Sequence, residues 1–300
     1  MKIGIIGLGL IGGSMAIDLK RKGFADEVLG VEAEPVNASA AEKIGLVDRV
    51  VSYEECVEQS DIVVLAVPVG VAVMLLPDIL DRFHAISADK IGSTEKGNSS
   101  EPSGLDKIVI DVCSTKEQLA RSVKYHPARR QYVATHPMAG TEYSGPWAAM
   151  PGLFDGHAGI ICDSEESSAK AVRTIEQLYE ALNMRTIYMN SSNHDVHTAY
   201  VSHISHVTSF ALALTVLDKE KDEKHIFDLA SGGFSSTVRL AKSSPDMWTP
   251  ILTQNSDNVL HVIDTYIEKM QAFRKAIADG DEDSIRALIA ESNKIRRIIR

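Results

Sequence analysis

His136 stands where two kinds of sequence meet. Tyr132-Val133-Ala134-Thr135 is a short apolar run of strand character, and Met138 to Gly145 is a small-residue loop carrying Thr141, Glu142 and Ser144. Pro137 biases the residue before it toward extended backbone and removes the next amide donor, so the strand must stop there with an imidazole at its mouth. A histidine so placed can accept a proton near neutral pH, or it can simply cap the strand and bond the loop. His136 alone does not separate the two.

Other residue types bear on the same chemistry. Ser114 follows the strand-like run Lys107-Ile108-Val109-Ile110-Asp111-Val112-Cys113. With Glu117 it has capping-box spacing, which predicts a helix start; a hydroxyl at the carboxyl end of a strand in an open α/β sheet can also bond a reacting centre. Arg239 lies just beyond Ser231-Gly232-Gly233-Phe234, read as a glycine break in a helical region. Guanidinium binds carboxylate through two parallel bonds, so Arg239 suits either a carboxylate ligand or a surface ion pair. His194, His197, His203 and His206 fall in one helical segment, each pair three residues apart. Metal binding is weighed and set aside, since there is no HExxH and no cysteine nearby. Helix-surface histidines fit better, with His206 partly buried beside a cleft.

These groups need a scaffold, and the amino terminus supplies one. Lys2 to Ile6 reads as a buried strand, Gly7-Leu8-Gly9-Leu10-Ile11-Gly12 follows at once, Leu10 to Arg21 has helical spacing with a stop at Gly23, and Glu27 to Val31 is a second strand ending at Glu32. Glu32 lies twenty residues past Gly12, which is the dinucleotide fingerprint. Gly7 makes the turn, Gly9 lets backbone approach a pyrophosphate, and Gly12 permits close helix–strand packing. The helix amino terminus stabilises phosphate charge. A carboxylate at position 32 accepts bonds from a ribose 2′-hydroxyl and repels a 2′-phosphate, so NAD is favoured over NADP.

Further strands are read at Asp61–Pro68, Ala158–Cys162 and Arg185–Met189, and helices at 38–43, 53–58, 71–83 and 167–182. Residues 87–104 carry no apolar period and read as a surface excursion. From Ser191 onward the period is helical throughout: a long segment to Asp218 with Val196, Tyr200, Val207, Ala211 and Leu214 as one stripe, then helices near 223–230, from Pro245 to about 278, and from Gly280 to Arg300. The organisation is α/β: a Rossmann-like dinucleotide-binding domain over 1–190, followed by an all-helical substrate and dimerisation domain over 191–300. The apolar stripes exceed what one helix pair needs, which points to a homodimer.

The 300 residues suit two domains, and 44% apolar residues supply a core. A net charge of −10 argues against nucleic acid or an anionic membrane as the main partner. Three scattered cysteines fit reduced thiols. Neither a signal peptide nor a run of membrane-spanning length is read, so a cytoplasmic protein is expected.

Four motifs in order resemble the prephenate/arogenate dehydrogenase family of tyrosine biosynthesis. They are Gly7 to Ser14, Asp111-Val112-Cys113-Ser114-Thr115-Lys116, Thr135-His136-Pro137-Met138-Ala139-Gly140-Thr141-Glu142, and Ser202-His203-Ile204-Ser205-His206 with Gly232-Gly233-Phe234 and Arg239 after it. The resemblance implies oxidative decarboxylation of prephenate to 4-hydroxyphenylpyruvate, or of arogenate. His136 would accept the hydroxyl proton and Ser114 would bond the same oxygen. Arg239 would bind a substrate carboxylate, with His206, Thr141 and Glu142 lining the site. Gly7, Gly9, Leu10, Ile11, Gly12 and Glu32 would hold NAD. Ser235 and Ser236 depart from the basic and acidic residues common after Gly-Gly-Phe, so the two substrates are not distinguished. The absence of a chorismate mutase segment or a βαββαβ module implies a monofunctional enzyme. A hydroxyisobutyrate-type dehydrogenase would need a catalytic lysine in the helical domain, and no matching motif is found. Replacing Glu32 with Ser should weaken discrimination against the phosphorylated cofactor, measured as the ratio of kcat/KM for the two nucleotides; a native preference for NADP would mean that the acid does something else.

Overall fold

The computed structural model describes residues 1–93, 107–220 and 230–297, with side chains of 89–93 excepted. Eight strands form one sheet: β1 (Lys2–Ile6), β2 (Glu27–Val31), β3 (Arg49–Val50), β4 (Ile62–Leu65), β5 (Ile108–Asp111), β6 (Tyr132–Pro137), β7 (Ala158–Cys162) and β8 (Arg185–Met189). Their order is β3-β2-β1-β4-β5-β6-β7-β8. All neighbours are parallel except β6 with β7, where His136 pairs with Ile160. The order reverses at β1, so the carboxyl ends of β1 and β4 open onto the crevice where ligands bind in such sheets.

The helices are α1 (Leu10–Arg21), α2 (Pro35–Lys43), α3 (Tyr53–Gln59), α4 (Val69–Ser93), α5 (Glu117–Ser122), α6 (Ala169–Ala181), α7 (Ser191–Thr198), α8 (Ile204–Glu220), α9 (Gly232–Val238), α10 (Pro245–Gln254), α11 (Ser256–Asp279) and α12 (Glu282–Ser292). Two apolar layers sandwich the sheet. One gathers Met15 and Leu19 of α1 with Leu178 and Tyr179 of α6; the other gathers Leu76, Ile79 and Phe83 of α4 with Trp248 and Ile251 of α10. A helix of the carboxyl-terminal half therefore completes the nucleotide domain's own core.

Several expectations are corrected. Helix α4 runs to Ser93, because Ala85-Ile86-Ser87-Ala88 keeps helix-compatible residues with no glycine before Gly92; of the expected excursion, 94–104 lie outside the described residues. The short edge strand β3 was not anticipated. Gly232 and Gly233 open α9 instead of breaking a helix, and Arg239 sits at its carboxyl end, where a cation is favoured by the helix dipole. The helix expected from Pro245 to 278 is interrupted at Asn255, which has left regular helical geometry. Gly280 ends α11 at positive φ as read. The expected helix near 223–230 falls on residues of which 221–229 are outside the described set, as are 298–300.

The helical span Ser191–Glu220 includes a π-type turn at Ala199–His203. By length and composition it could cross a membrane, contrary to the reading that no run approaches that length, and this chain covers little of it. Tyr200, Ala211 and Leu214 of the expected stripe are exposed, as are Leu260, Ile267 and Met270 of α11.

Between β5 and β6 lies a fully buried ion pair. Lys116 Nζ contacts Asp111 Oδ1 and donates to the Thr135 carbonyl at 2.7 Å, while Tyr132 Oη donates to Asp111 Oδ2 at 2.7 Å. Burial, the largest single influence, pulls the ammonium toward neutrality, but the facing Asp111 carboxylate together with Cys113 and Cys162 more than offsets it, and the Lys116 pKa is raised. Removing one partner of such a pair strands a charge in a dry interior. Lys116→Met should destabilise the protein by about 3–5 kcal/mol in urea unfolding, and adding Asp111→Asn should recover part of that loss.

Candidate functional site

The glycine turn has the form a dinucleotide needs. Gly7 has φ +99°, and a Cβ there would lie 2.3 Å from the Ala66 carbonyl oxygen. A Cβ on Gly12 would meet the Gly7 carbonyl oxygen at 2.1 Å, so α1 can approach β1 this closely only without a side chain. At Gly9, by contrast, a Cβ meets no atom within 4 Å: the space beside the helix amino terminus is open. Leu10 and Ile11 form the first turn of α1, whose unpaired amides face that space. Glu32 is held at the end of β2, Oε2 accepting from Leu8 N at 3.0 Å and Oε1 from Glu34 N at 3.1 Å. Each oxygen keeps acceptor capacity for a ribose hydroxyl. Turn, open space and aimed carboxylate fit a dinucleotide.

Strand β6 runs one residue past the expected stop, through Pro137, which pairs with Gly159; His136 is its penultimate residue, 9% exposed. Its Nδ1 lies 2.8 Å from His194 Nε2 on α7, and His194 Nδ1 lies 2.8 Å from Asp195 Oδ1. Among the described residues Nε2 of His136 makes no hydrogen bond. Burial, then the neighbouring His194, Lys116 and His203, holds its pKa well below the ordinary histidine range. It is thus the neutral, proton-accepting form near pH 7.

Ser114 lies partly exposed on the segment after β5 and makes no hydrogen bond among the described residues. The capping box expected of Ser114 and Glu117 does not form. Lys116 is the residue before α5, and the helix's leading amides are served by Asp195: Oδ1 accepts from Lys116 N at 2.8 Å and Oδ2 from Glu117 N at 2.9 Å. A carboxylate from the helical half displaces the local hydroxyl because it can take both amides at once.

The histidine helix is sorted by burial. His197 is exposed; His194 and His203 are buried; His206 is half buried. His206 Nδ1 donates to the Ser202 carbonyl at 3.1 Å, and its ring stacks on Trp248 with centroids 3.5 Å apart. His203 packs edge-on against Trp248, and its Nδ1 lies 3.2 Å from Asn255 Nδ2. Asn255 Nδ2 also donates to the Asp195 carbonyl at 2.7 Å, which accounts for the interruption between α10 and α11. Burial pushes the His203 pKa down to about 4.

Arg239 Nη1 donates to Glu142 Oε2 at 2.8 Å, joining the helical half to the loop after β6. The guanidinium stays half exposed, with four N–H groups still available. The Glu142 carboxyl is held below its usual range by its own backbone amide and by Arg239. Thr141 Oγ1 accepts from Tyr143 N at 3.3 Å, a local turn bond. The site that emerges joins His136 with His194 and Arg239 with Glu142, and sets His206 on Trp248. His194, Asp195, Trp248 and Asn255 were not singled out for these roles; the adjacency His194-Asp195 behind the capping residue Asn190 was the available signal.

Three family models match successive parts of the chain. Residues 103–188 match "Prephenate dehydrogenase, nucleotide-binding domain" and 190–291 match "Prephenate dehydrogenase, dimerization domain", while 2–91 match "NADP oxidoreductase coenzyme F420-dependent". The chain is 28% identical over 285 residues to a prephenate dehydrogenase of Bacillus subtilis, covering 94% of this chain and 71% of that one. It is 29% identical to a cyclohexadienyl dehydrogenase of Zymomonas mobilis, covering 98% and 94%. A crystal structure of prephenate dehydrogenase from Aquifex aeolicus, in complex with hydroxyphenyl propionate and NAD+, superposes with TM-score 0.81 at 27% identity, covering 99% and 97%. Fold and matches together define an oxidoreductase with a Rossmann-like nucleotide domain and a helical second half. Within that class, the chain belongs to the prephenate/arogenate dehydrogenase family.

His136, His194 and His203 all have pKa values depressed by burial. A folded-state pKa below the unfolded 6.5 means that the unfolded chain binds more protons at acid pH. Stability should be full above pH 6.5 and fall as pH drops through that value, His203 alone removing about 2 kcal/mol by pH 5. Urea midpoints at pH 7.5 and 5.0 check this; equal midpoints would contradict it.

Proposed function

We propose that the protein catalyses NAD-dependent oxidative decarboxylation of prephenate to 4-hydroxyphenylpyruvate, with His136 as general base. The observation that carries the reading is a neutral histidine at the carboxyl end of β6, bonded through Nδ1 to His194 and leaving Nε2 free. His136 takes the substrate hydroxyl proton at Nε2, and Ser114 bonds the same oxygen. The nicotinamide, when bound by Gly7, Gly9, Leu10, Ile11, Gly12 and Glu32, would supply the hydride acceptor. Loss of the ring carboxylate as carbon dioxide leaves an aromatic phenol, which makes the step irreversible. Arg239 binds a substrate carboxylate with the donors that Glu142 leaves unused, and the Glu142 pair controls access. Thr141 and His206 line the same cleft, His206 fixed against Trp248. Arogenate, which carries an amino group where prephenate has a keto group, is the alternative substrate.

A second copy of the chain is the proposed partner for the exposed apolar side chains of α8 and α11, in keeping with the dimerization-domain match. Covered in this way, the Ser191–Glu220 span needs no membrane.

Purified protein with NAD and either prephenate or arogenate should generate NADH with at least one of them; no turnover with both would sink the assignment. His136→Asn should retain nucleotide binding and lose about 10²–10⁴-fold in kcat. Arg239→Ala should chiefly raise KM, by about 10–100-fold if one charge-assisted contact is lost; an unchanged KM would place the carboxylate elsewhere.

A further inference from the structure

Asp195 bonds nothing that reacts, yet its carboxylate ties the helical half to the nucleotide domain beside the site. It lies on α7 in the helical half, 2% exposed, and each oxygen has a fixed partner in the nucleotide domain or on the neighbouring ring. Oδ1 accepts from Lys116 N and lies 2.8 Å from His194 Nδ1; Oδ2 accepts from Glu117 N. Asn255 ties its carbonyl to the α10–α11 break.

The hydrogen positions follow from this arrangement. A carboxylate offers only acceptors, so His194 Nδ1 carries the proton toward Asp195. His194 has one N–H when neutral, which leaves its Nε2 as an acceptor. His136 Nδ1, 2.8 Å away, must then be the donor. His136 is left with a lone pair on Nε2, the nitrogen that no protein group occupies among the described residues. The same carboxylate holds the first amides of α5, and thus the segment bearing Ser114, against the strand bearing His136.

We propose that Asp195 is a positioning residue for the reaction: through His194 it selects the His136 tautomer whose Nε2 can take a proton, and through the amides of Lys116 and Glu117 it sets where Ser114 stands relative to that nitrogen. This rests on His136 being the base. When Nε2 gains its proton the cation can be shared along His136, His194 and Asp195, so removing the carboxylate weakens the base. The charged and titratable groups around His136 are His194 and His203 on the helical span, Lys116 after β5 with Asp111 paired to it, and Asp195 behind His194. Of these, Asp111 is already neutralised by Lys116, which leaves Asp195 as the carboxylate that serves the ring pair.

Two variants separate relay from scaffold. His194→Gln breaks the relay while leaving Asp195 on the α5 amides; Asp195→Asn removes the charge. Both should lower kcat by about 10²–10⁴-fold, the scale seen when a triad carboxylate is neutralised, with NADH affinity by fluorescence within about threefold of wild type. The acidic limb of kcat/KM for Asp195→Asn should move to lower pH, because the base is weaker; a merely loosened site would admit water and move it up toward the ordinary histidine value. Independently of activity, ¹⁵N–¹H correlation spectra of histidine-labelled protein should show His136 protonated at Nδ1 in wild type and a substantial Nε2-protonated population in Asp195→Asn. An Nε2-protonated His136 in the wild type, spectra unchanged by the substitution, or kcat within threefold of wild type in both variants would overturn the proposal. Wild type inactive on both substrates would overturn the substrate assignment instead, and the tautomer spectra would still decide the role of Asp195.

Discussion

A lysine with no exposed atom sits at the centre of this molecule. Lys116 is tolerable there because Asp111 and the Thr135 carbonyl surround its ammonium, and Tyr132 Oη satisfies the other Asp111 oxygen. Desolvating two charges is costly, and the geometry repays it only when every donor and acceptor is met. The consequence is positional. Asp111 ends β5, Thr135 precedes His136 on β6, and Lys116 follows Ser114, so one buried pair fixes the spacing of both strand ends and of the segment between them. The candidate base and the candidate hydroxyl thus flank one buried ion pair, each within two residues along the chain of Lys116 or of Thr135, whose carbonyl accepts from it.

Onto that cluster the helical half is fastened by polar contacts rather than by area alone. Asp195 grips the amides before α5, His194 touches His136, and Arg239 reaches Glu142. The Arg239–Glu142 pair, screened by solvent, contributes little to stability. Asp195, by contrast, is buried among its donors. On the proposed function, binding and proton transfer would draw on groups of different exposure: a buried His194–Asp195 pair behind His136, and a half-exposed Arg239.

The nucleotide turn was legible because its constraints are local. Gly7, Gly9, Gly12 and Glu32 do their work within one strand–helix–strand unit, and spacing along the chain reports spacing in space. His136 was legible because Pro137 marks the end of a strand wherever that strand lies. The relay was not, since His194 and Asp195 lie 58 and 59 residues beyond His136 and nothing in helical periodicity says which face of α7 meets β6. Ser114 misled for a related reason. Its spacing to Glu117 satisfies a local rule, but a distant carboxylate outcompeted it. Likewise the break at Asn255 carries no glycine or proline at the break itself; it exists because a side chain is needed by Asp195 and His203.

Trp248 couples the folding of the two halves of the chain. Its ring is a wall against His206 and His203 on one side and, with Ile251, part of the same apolar layer as Leu76, Ile79 and Phe83 on the other. The helical half thus cannot detach and leave an intact nucleotide domain behind, because withdrawing α10 would open that domain's own interior to water. Two units that look separable in sequence should melt as one cooperative body, and loss of order around Trp248 would reach the nucleotide turn and the reaction site together.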